Sequence, residues 1–152
     1  MVGETAIREQ VVDELYAHAL ELADEARVVF DLRDEALLTQ SSDRVRIAMS
    51  IEGLRTTTRV MHVLAWLLNQ RAYHAGELSK LQVLRDGTLG EDRPSDPNNL
   101  VLLQYGTQSL IQATERLHER VRRLDDEQRQ LGERHSAVQE MQGRIAQAFG
   151  TA

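Results

Sequence analysis

The sequence predicts an all-α protein, an antiparallel three-helix bundle of long helices that assembles as a homodimer. Three observations lead there. Aromatic residues make up only 4% of the chain, prolines number two and cysteine is absent, while Ala, Leu, Glu, Gln and Arg abound. That is a set of helix formers, and it disfavours sandwiches and barrels. Apolar residues recur at alternating steps of three and four along three segments, which is the period of one helix face. Both prolines fall in a single stretch together with Gly87 and Gly90, so one long break interrupts the pattern. At 152 residues the chain suits one domain, burying very roughly 70% of its unfolded surface.

The first helix, about 4–31, is drawn by Val11, Leu15, Ala19, Leu22, Ala26 and Val29, with Glu14, Glu21, Asp24 and Glu25 on a solvated face. The rhythm lapses over Leu32–Ser42, a connection with a helical turn at Glu35–Leu38 and a terminal cluster of helix-starting polar residues. The second helix, about 43–76, has the most regular pattern: Ile47, Ile51, Leu54, Thr58, Met61, Ala65, Leu68, Ala72 and Ala75 alternate four and three. Such a seam lets one helix lie along another with interleaved side chains. Gly76 suits the left-handed turn that follows a helix end.

The segment Glu77–Pro97, with Gly87, Gly90, Pro94 and Pro97, reads as a crossover loop, and loops this long are often functional. The third helix, about 98–131, follows Leu103, Leu110, Thr114, Leu117, Val121, Leu124 and Leu131 and continues through Val138 and Ile145. Gln128, His135 and Gln142 are polar gaps that weaken its seam, so the reading is one bundle domain over 1–131. Residues 132–152 extend the third helix and end in a flexible tail.

Helix two carries more apolar surface than a bundle stripe needs, since Val60, Met61, Val63, Leu64, Ala65, Trp66, Leu67 and Leu68 surround its axis. A second copy of the chain is the expected cover, because two-fold pairing is the commonest soluble assembly. Met61, Leu64, Trp66, Leu67 and Leu68 are thus assigned to the core or the dimer interface. The lone Trp66 reads as an anchor of that packing.

The chain carries 24 acidic against 18 basic residues, a net charge of −6. Arg116, Arg120, Arg122 and Arg123 are interleaved with acids, and Glu119–Arg123 and Arg122–Asp126 have favourable i,i+4 spacing, so nucleic acid is not an expected partner. The N-terminus MVGETAIREQ lacks a secretory pattern, and the run Val60–Leu68 is far below the ~20 residues of a membrane span. With no cysteine for disulfides, a cytoplasmic protein is expected. Its basic residues are arginine except for Lys80, a bias typical of GC-rich bacterial genomes.

Glu115 and His118 have the Glu-x-x-His spacing of carboxylate di-iron bundles, but the pair is not repeated, and no metal or cofactor is expected. The run Thr56–Thr58 reads as a close helix approach, its hydroxyls bonding carbonyls one turn back. No nucleophile triad or phosphate-cradling glycine loop is present, so no catalytic residue is assigned. The enzymatic alternative is a helical-bundle protein whose Arg8, Arg55, Arg59 and Arg71, with Glu52 or Gln70, line an anion pocket. In a protein-binding scaffold the same arginines instead form intramolecular pairs. A purely structural coiled coil is the third reading.

The string SIEGLRTTTRVMHVLAWLLNQRAYHAGELS, residues 50–79, resembles the signature of the RcdA family, the alphaproteobacterial regulators of CtrA degradation, and their uncharacterised relatives. The matching residues are Leu54, Thr57-Thr58-Arg59, Met61, Trp66-Leu67-Leu68, Gln70-Arg71-Ala72 and Glu77. The resemblance implies a non-enzymatic homodimeric adaptor that promotes regulated proteolysis of cell-cycle regulators. Its implied partners are ClpX or the ClpXP protease, with response-regulator or second-messenger-binding adaptor proteins and protein substrates. Candidate partner contacts on the outer face are Arg71, Tyr73, His74 and Glu77, together with the tail after Leu131.

Overall fold

The computed structural model describes residues 2–31 and 42–150, and helices are the regular elements among them. The expected connection over Leu32–Ser42, including the turn at Glu35–Leu38, lies outside the described residues apart from Ser42. Helix α1 spans Val2–Val29, α2 Asp43–His74, α3 Lys80–Asp86, α4 Pro97–Leu100 and α5 Tyr105–Phe149. The all-α class stands.

Local chemistry sets most of these limits. Ser42 caps α2, its hydroxyl accepting from the Val45 amide at 3.4 Å. At the other end Gly76 takes φ +79°, the left-handed conformation that costs glycine least. The Glu77 amide then reaches back to the Ala72 carbonyl at 2.9 Å and closes the helix. Ser79 and Gln82 form a reciprocal capping box at the start of α3.

The third long helix begins later than its periodicity predicts. Asp96 caps only the single turn of α4, and the chain bends over 101–104 before α5 opens. The bend lets the adjacent Leu102 and Leu103, with Leu100, pack around Ala48 and Ile111 in a small second core. From there α5 runs unbroken to Phe149, and every residue from Glu133 to Phe149 is exposed.

Each of the three long helices packs against the other two. Arg71 meets Asp13 at 3.5 Å and Phe30 lies against Gly53, so α1 and α2 run antiparallel. Helices α2 and α5, however, run parallel, because Arg59 meets Thr114, Trp66 meets Asp125 and Gln70 meets Gln128. The antiparallel expectation for this pair is therefore corrected. The thirty residues over 75–104 travel back along the bundle before α5 starts, so the two helices set out from the same end.

A second correction concerns the seam of α2. The main core joins Val12, Leu15, Ala19, Leu22 and Ala26 of α1 to Val63, Trp66 and Leu67 of α2 and to Leu110, Leu117 and Val121 of α5. The α1 stripe is thus inside as read. On α2, the regular seam faces outward: Ile47 is 59% exposed, Leu54 70%, Met61 63% and Leu68 49%. The face turned inward is the neighbouring one, Ala48, Glu52, Thr56, Arg59, Val63, Trp66 and Gln70. Its four polar members hide it from a hydrophobic pattern, and three of them, Glu52, Arg59 and Gln70, enter the interior because partners await them there.

This packing predicts that Leu67→Ala lowers stability by about 2–5 kcal/mol, whereas Val28→Ala, at an exposed position, changes it by less than about 0.5 kcal/mol. Midpoints of urea unfolding at constant slope will read the difference.

Candidate functional site

The densest polar chemistry lies in the groove between α2 and α5, filled by the irregular strap over 87–96. Arg59 is 1% exposed and anchors it. Its Nε donates to Asp92 at 2.8 Å, one Nη to the Arg93 carbonyl at 3.0 Å and the other to Thr114 Oγ1 at 3.0 Å. The Thr114 hydroxyl in turn donates a hydrogen bond to the Ile111 carbonyl at 2.6 Å. A guanidinium is the group suited to three separate acceptors around one plane, and a buried one requires them.

Two turns earlier, Glu52 is wholly buried. Its Oε1 accepts from Arg55 at 2.8 Å, from the Asp96 amide at 3.2 Å and from Asn99 Nδ2 at 3.0 Å. Oε2 of Glu52 and the hydroxyl of buried Thr56, one turn on, have no hydrogen-bond partner. Thr57 and Thr58 are exposed, so of the threonine run only Thr56 enters the helix contact.

Helix α5 supplies the other wall. His118 Nε2 donates to the Gly90 carbonyl at 2.9 Å, which fixes the proton on that nitrogen, and Glu115 accepts from the Ser95 hydroxyl at 2.7 Å. Glu115 and His118 thus hold the strap, and among the described residues no group of three His, Asp or Glu is arranged to hold a metal ion. Asp125 accepts from Trp66 Nε1 at 2.9 Å, from the Leu89 amide at 3.4 Å and from Arg129 at 3.2 Å. Arg129 also donates to the Leu84 carbonyl and to the Thr88 hydroxyl. Gln70 and Gln128 exchange amide hydrogen bonds at 2.9 and 3.3 Å, so the polar gap at Gln128 is a buried pair.

The residues singled out from the sequence are separated by this arrangement. Trp66 and Leu67 are buried and Leu64 packs against the core, while Met61 and Leu68 stand exposed on the outer face of α2. Near the end of α2, Arg71 pairs with Asp13 and lies 4.5 Å over the Tyr16 ring. Tyr73 and His74 are half-buried with their rings 5.6 Å apart, and Glu77 is exposed. Of the arginines read as a possible anion pocket, Arg55 pairs with Glu52, Arg59 with Asp92 and Arg71 with Asp13.

On the outer surface of α5 the expected pairs Arg122–Asp126, at 2.7 Å, and Glu119–Arg123, at 3.5 Å, are present. Hydrogen bonding from Arg122 holds the Glu119 carboxyl below its ordinary range.

The sequence gives Asp92 and Asp125 no site role and reads Thr114 only as a seam position, His118 as half of an unrepeated Glu-x-x-His pair and Gln128 as a polar gap, although a signal for their burial exists. Glu52, Thr56, Arg59 and Gln70 repeat at helical spacing on one face of α2, and Thr114, His118, Asp125 and Gln128 do so on α5. Two such stripes match only once the helices are known to be parallel neighbours.

Removing Arg59 leaves Asp92 and Thr114 without their cation, so Arg59→Met is expected to cost about 3–5 kcal/mol in chemical denaturation. A loss below about 1 kcal/mol would mean that the guanidinium does not anchor the strap.

Neither the curated proteins nor the solved structures give a match to the chain. The family model described as Protein of unknown function (DUF1465) matches residues 3–149, and the chain belongs to that family.

Proposed function

We propose that this protein is a non-enzymatic adaptor, a three-helix protomer that pairs with a second copy and presents surfaces to other proteins. The observation that carries the reading is the outward seam of α2. Ile47, Ile51, Leu54, Met61 and Leu68 are exposed, and with Thr58 and Ala65 they keep an unbroken four-three spacing. That is the repeat by which one helix packs along another, and a second α2 offers the matching repeat. The engagement of Arg55, Arg59 and Arg71 with separate carboxylates favours the scaffold over an anion pocket.

Resemblance of residues 50–79 to the RcdA signature supplies the biological role. In this reading the dimer promotes proteolysis of cell-cycle regulators by ClpXP in the cytoplasm, in concert with response-regulator or second-messenger-binding adaptors. No helix among the described residues is long and apolar enough to cross a membrane. Arg71, Tyr73, His74 and Glu77, with the exposed end of α5, form the partner face.

Two measurements test the proposal. Light scattering should give a dimer at micromolar concentration, and Met61→Asp with Leu68→Asp should give a folded monomer. A wild-type monomer sinks the interface. In a reconstituted ClpXP reaction with a response-regulator substrate and its adaptors, the chain should accelerate substrate loss several-fold, and Arg71→Glu with Glu77→Arg should abolish the gain. If wild type leaves degradation unchanged, the protease role falls.

A further inference from the structure

We propose that the groove between α2 and α5 is a peptide-binding groove, occupied in cis by the strap over 87–96 and able to accept a segment of another protein in its place. This adds a site that the adaptor reading does not require, and it stands or falls separately.

The strap is held as a bound peptide is held. It has no regular structure of its own, and the groove walls hydrogen-bond its backbone directly. Asp125 takes the Leu89 amide, His118 the Gly90 carbonyl, Arg59 the Arg93 carbonyl and Glu52 the Asp96 amide. The contacts are ordered: as the strap advances from residue 89 to residue 96, its partners step back along α5 from Asp125 to Glu115 and along α2 from Arg59 to Glu52. An extended chain thus lies antiparallel to both helices, its main chain read by fixed side chains.

Specificity comes from three adjoining subsites. Leu89 is 8% exposed and enters the main core among Trp66, Leu117 and Val121. Gly90 lies against the His62 ring, where a Cβ would stand 2.5 Å from Nδ1, so that subsite accepts only glycine without rearrangement. The same His62 Nδ1 is buried without a hydrogen-bond partner. Asp92 presents its carboxylate to Arg59. The ligand class is therefore an extended protein segment with leucine, glycine immediately after it and a carboxylate two positions further on. Beside the strap an open cavity of about 860 Å³, bounded by Glu91, Glu119, Arg122 and Asp126, provides room for such a segment to approach.

The physical argument for exchange is that these walls are an unusual way to fix a loop. Buried ion pairs contribute little net stability compared with apolar packing of similar volume, but they impose register. A covalently attached strap also competes at an effective concentration in the millimolar range, which masks the groove against free peptides. A competitor then binds only when the strap lets go.

The test weakens the strap's own anchors and leaves the walls intact. A fluorescent peptide with the sequence of residues 87–96, GTLGEDRPSD, should bind the full-length Leu89→Ser, Asp92→Ser variant at least about tenfold more tightly than it binds wild type. The same peptide carrying those two substitutions should not bind. A variant that keeps its helical circular dichroism yet binds no peptide overturns the proposal. Hydrogen exchange on the unmodified chain gives a second reading should the variant fail to fold. The Leu89 and Asp96 amides should exchange about tenfold or more faster than those of Val63 and Val121, through opening of the strap alone. Equal protection would mean that the strap leaves only on global unfolding, and would overturn the proposal.

Discussion

The rest of the structure depends on the burial of Arg59. A guanidinium in the interior costs several kcal/mol unless its donors are satisfied, and the acceptors that satisfy it come from two other parts of the chain. Asp92 and the Arg93 carbonyl must arrive from the strap, and the Thr114 hydroxyl must arrive from α5. Once Arg59 is inside, the rotation of α2, the path of the crossover and the longitudinal position of α5 are all constrained together. Trp66 with Asp125, and Gln70 with Gln128, repeat the same demand one and two steps further along the parallel pair.

This constraint explains how α2 divides its surface. Two stripes with nearly the same period run along it, offset alternately by one and two residues and therefore by roughly 140° around the axis. The more apolar stripe faces outward, while the stripe containing Glu52, Thr56, Arg59 and Gln70 faces the core. The interior is consequently mixed, with the aliphatic contacts of Leu15, Leu67, Leu117 and Val121 flanked by a polar column. A polar column gives directionality that aliphatic packing lacks, since a slip by one helical turn would leave charged groups without partners. The apolar stripe left outside is free to recognise another helix. In the proposed dimer, internal specificity and external adhesion fall on different faces of one rod.

The same logic unites the two surfaces proposed to act. An outward four-three seam favours a partner of like geometry, whereas a groove that reads backbone and a single carboxylate favours an extended segment. A chain with both can assemble with itself and still receive a second kind of partner. The exposed end of α5 adds a third element, an unsupported helix whose Val138, Met141, Ile145 and Phe149 are open to solvent.

The sequence by itself determined the all-α class, the inward stripe of α1, the turn at Gly76, the major break before the last long helix and the surface pairs of α5. Each is a local or periodic property, set by propensity, capping or i,i+4 geometry. It also assigned Met61, Leu64, Trp66, Leu67 and Leu68 to the core or a dimer interface, and of these Trp66 and Leu67 are buried while Met61 and Leu68 stand exposed. Only the tertiary structure decided that α2 and α5 are parallel, that the regular seam of α2 faces outward, and that Glu52, Arg59, His118, Asp125 and Gln128 belong inside. The reason is that a polar side chain's burial depends on a partner distant in sequence. Asp92 lies thirty-three positions from Arg59, and Asp125 fifty-nine from Trp66, and no periodicity along a single helix encodes that meeting.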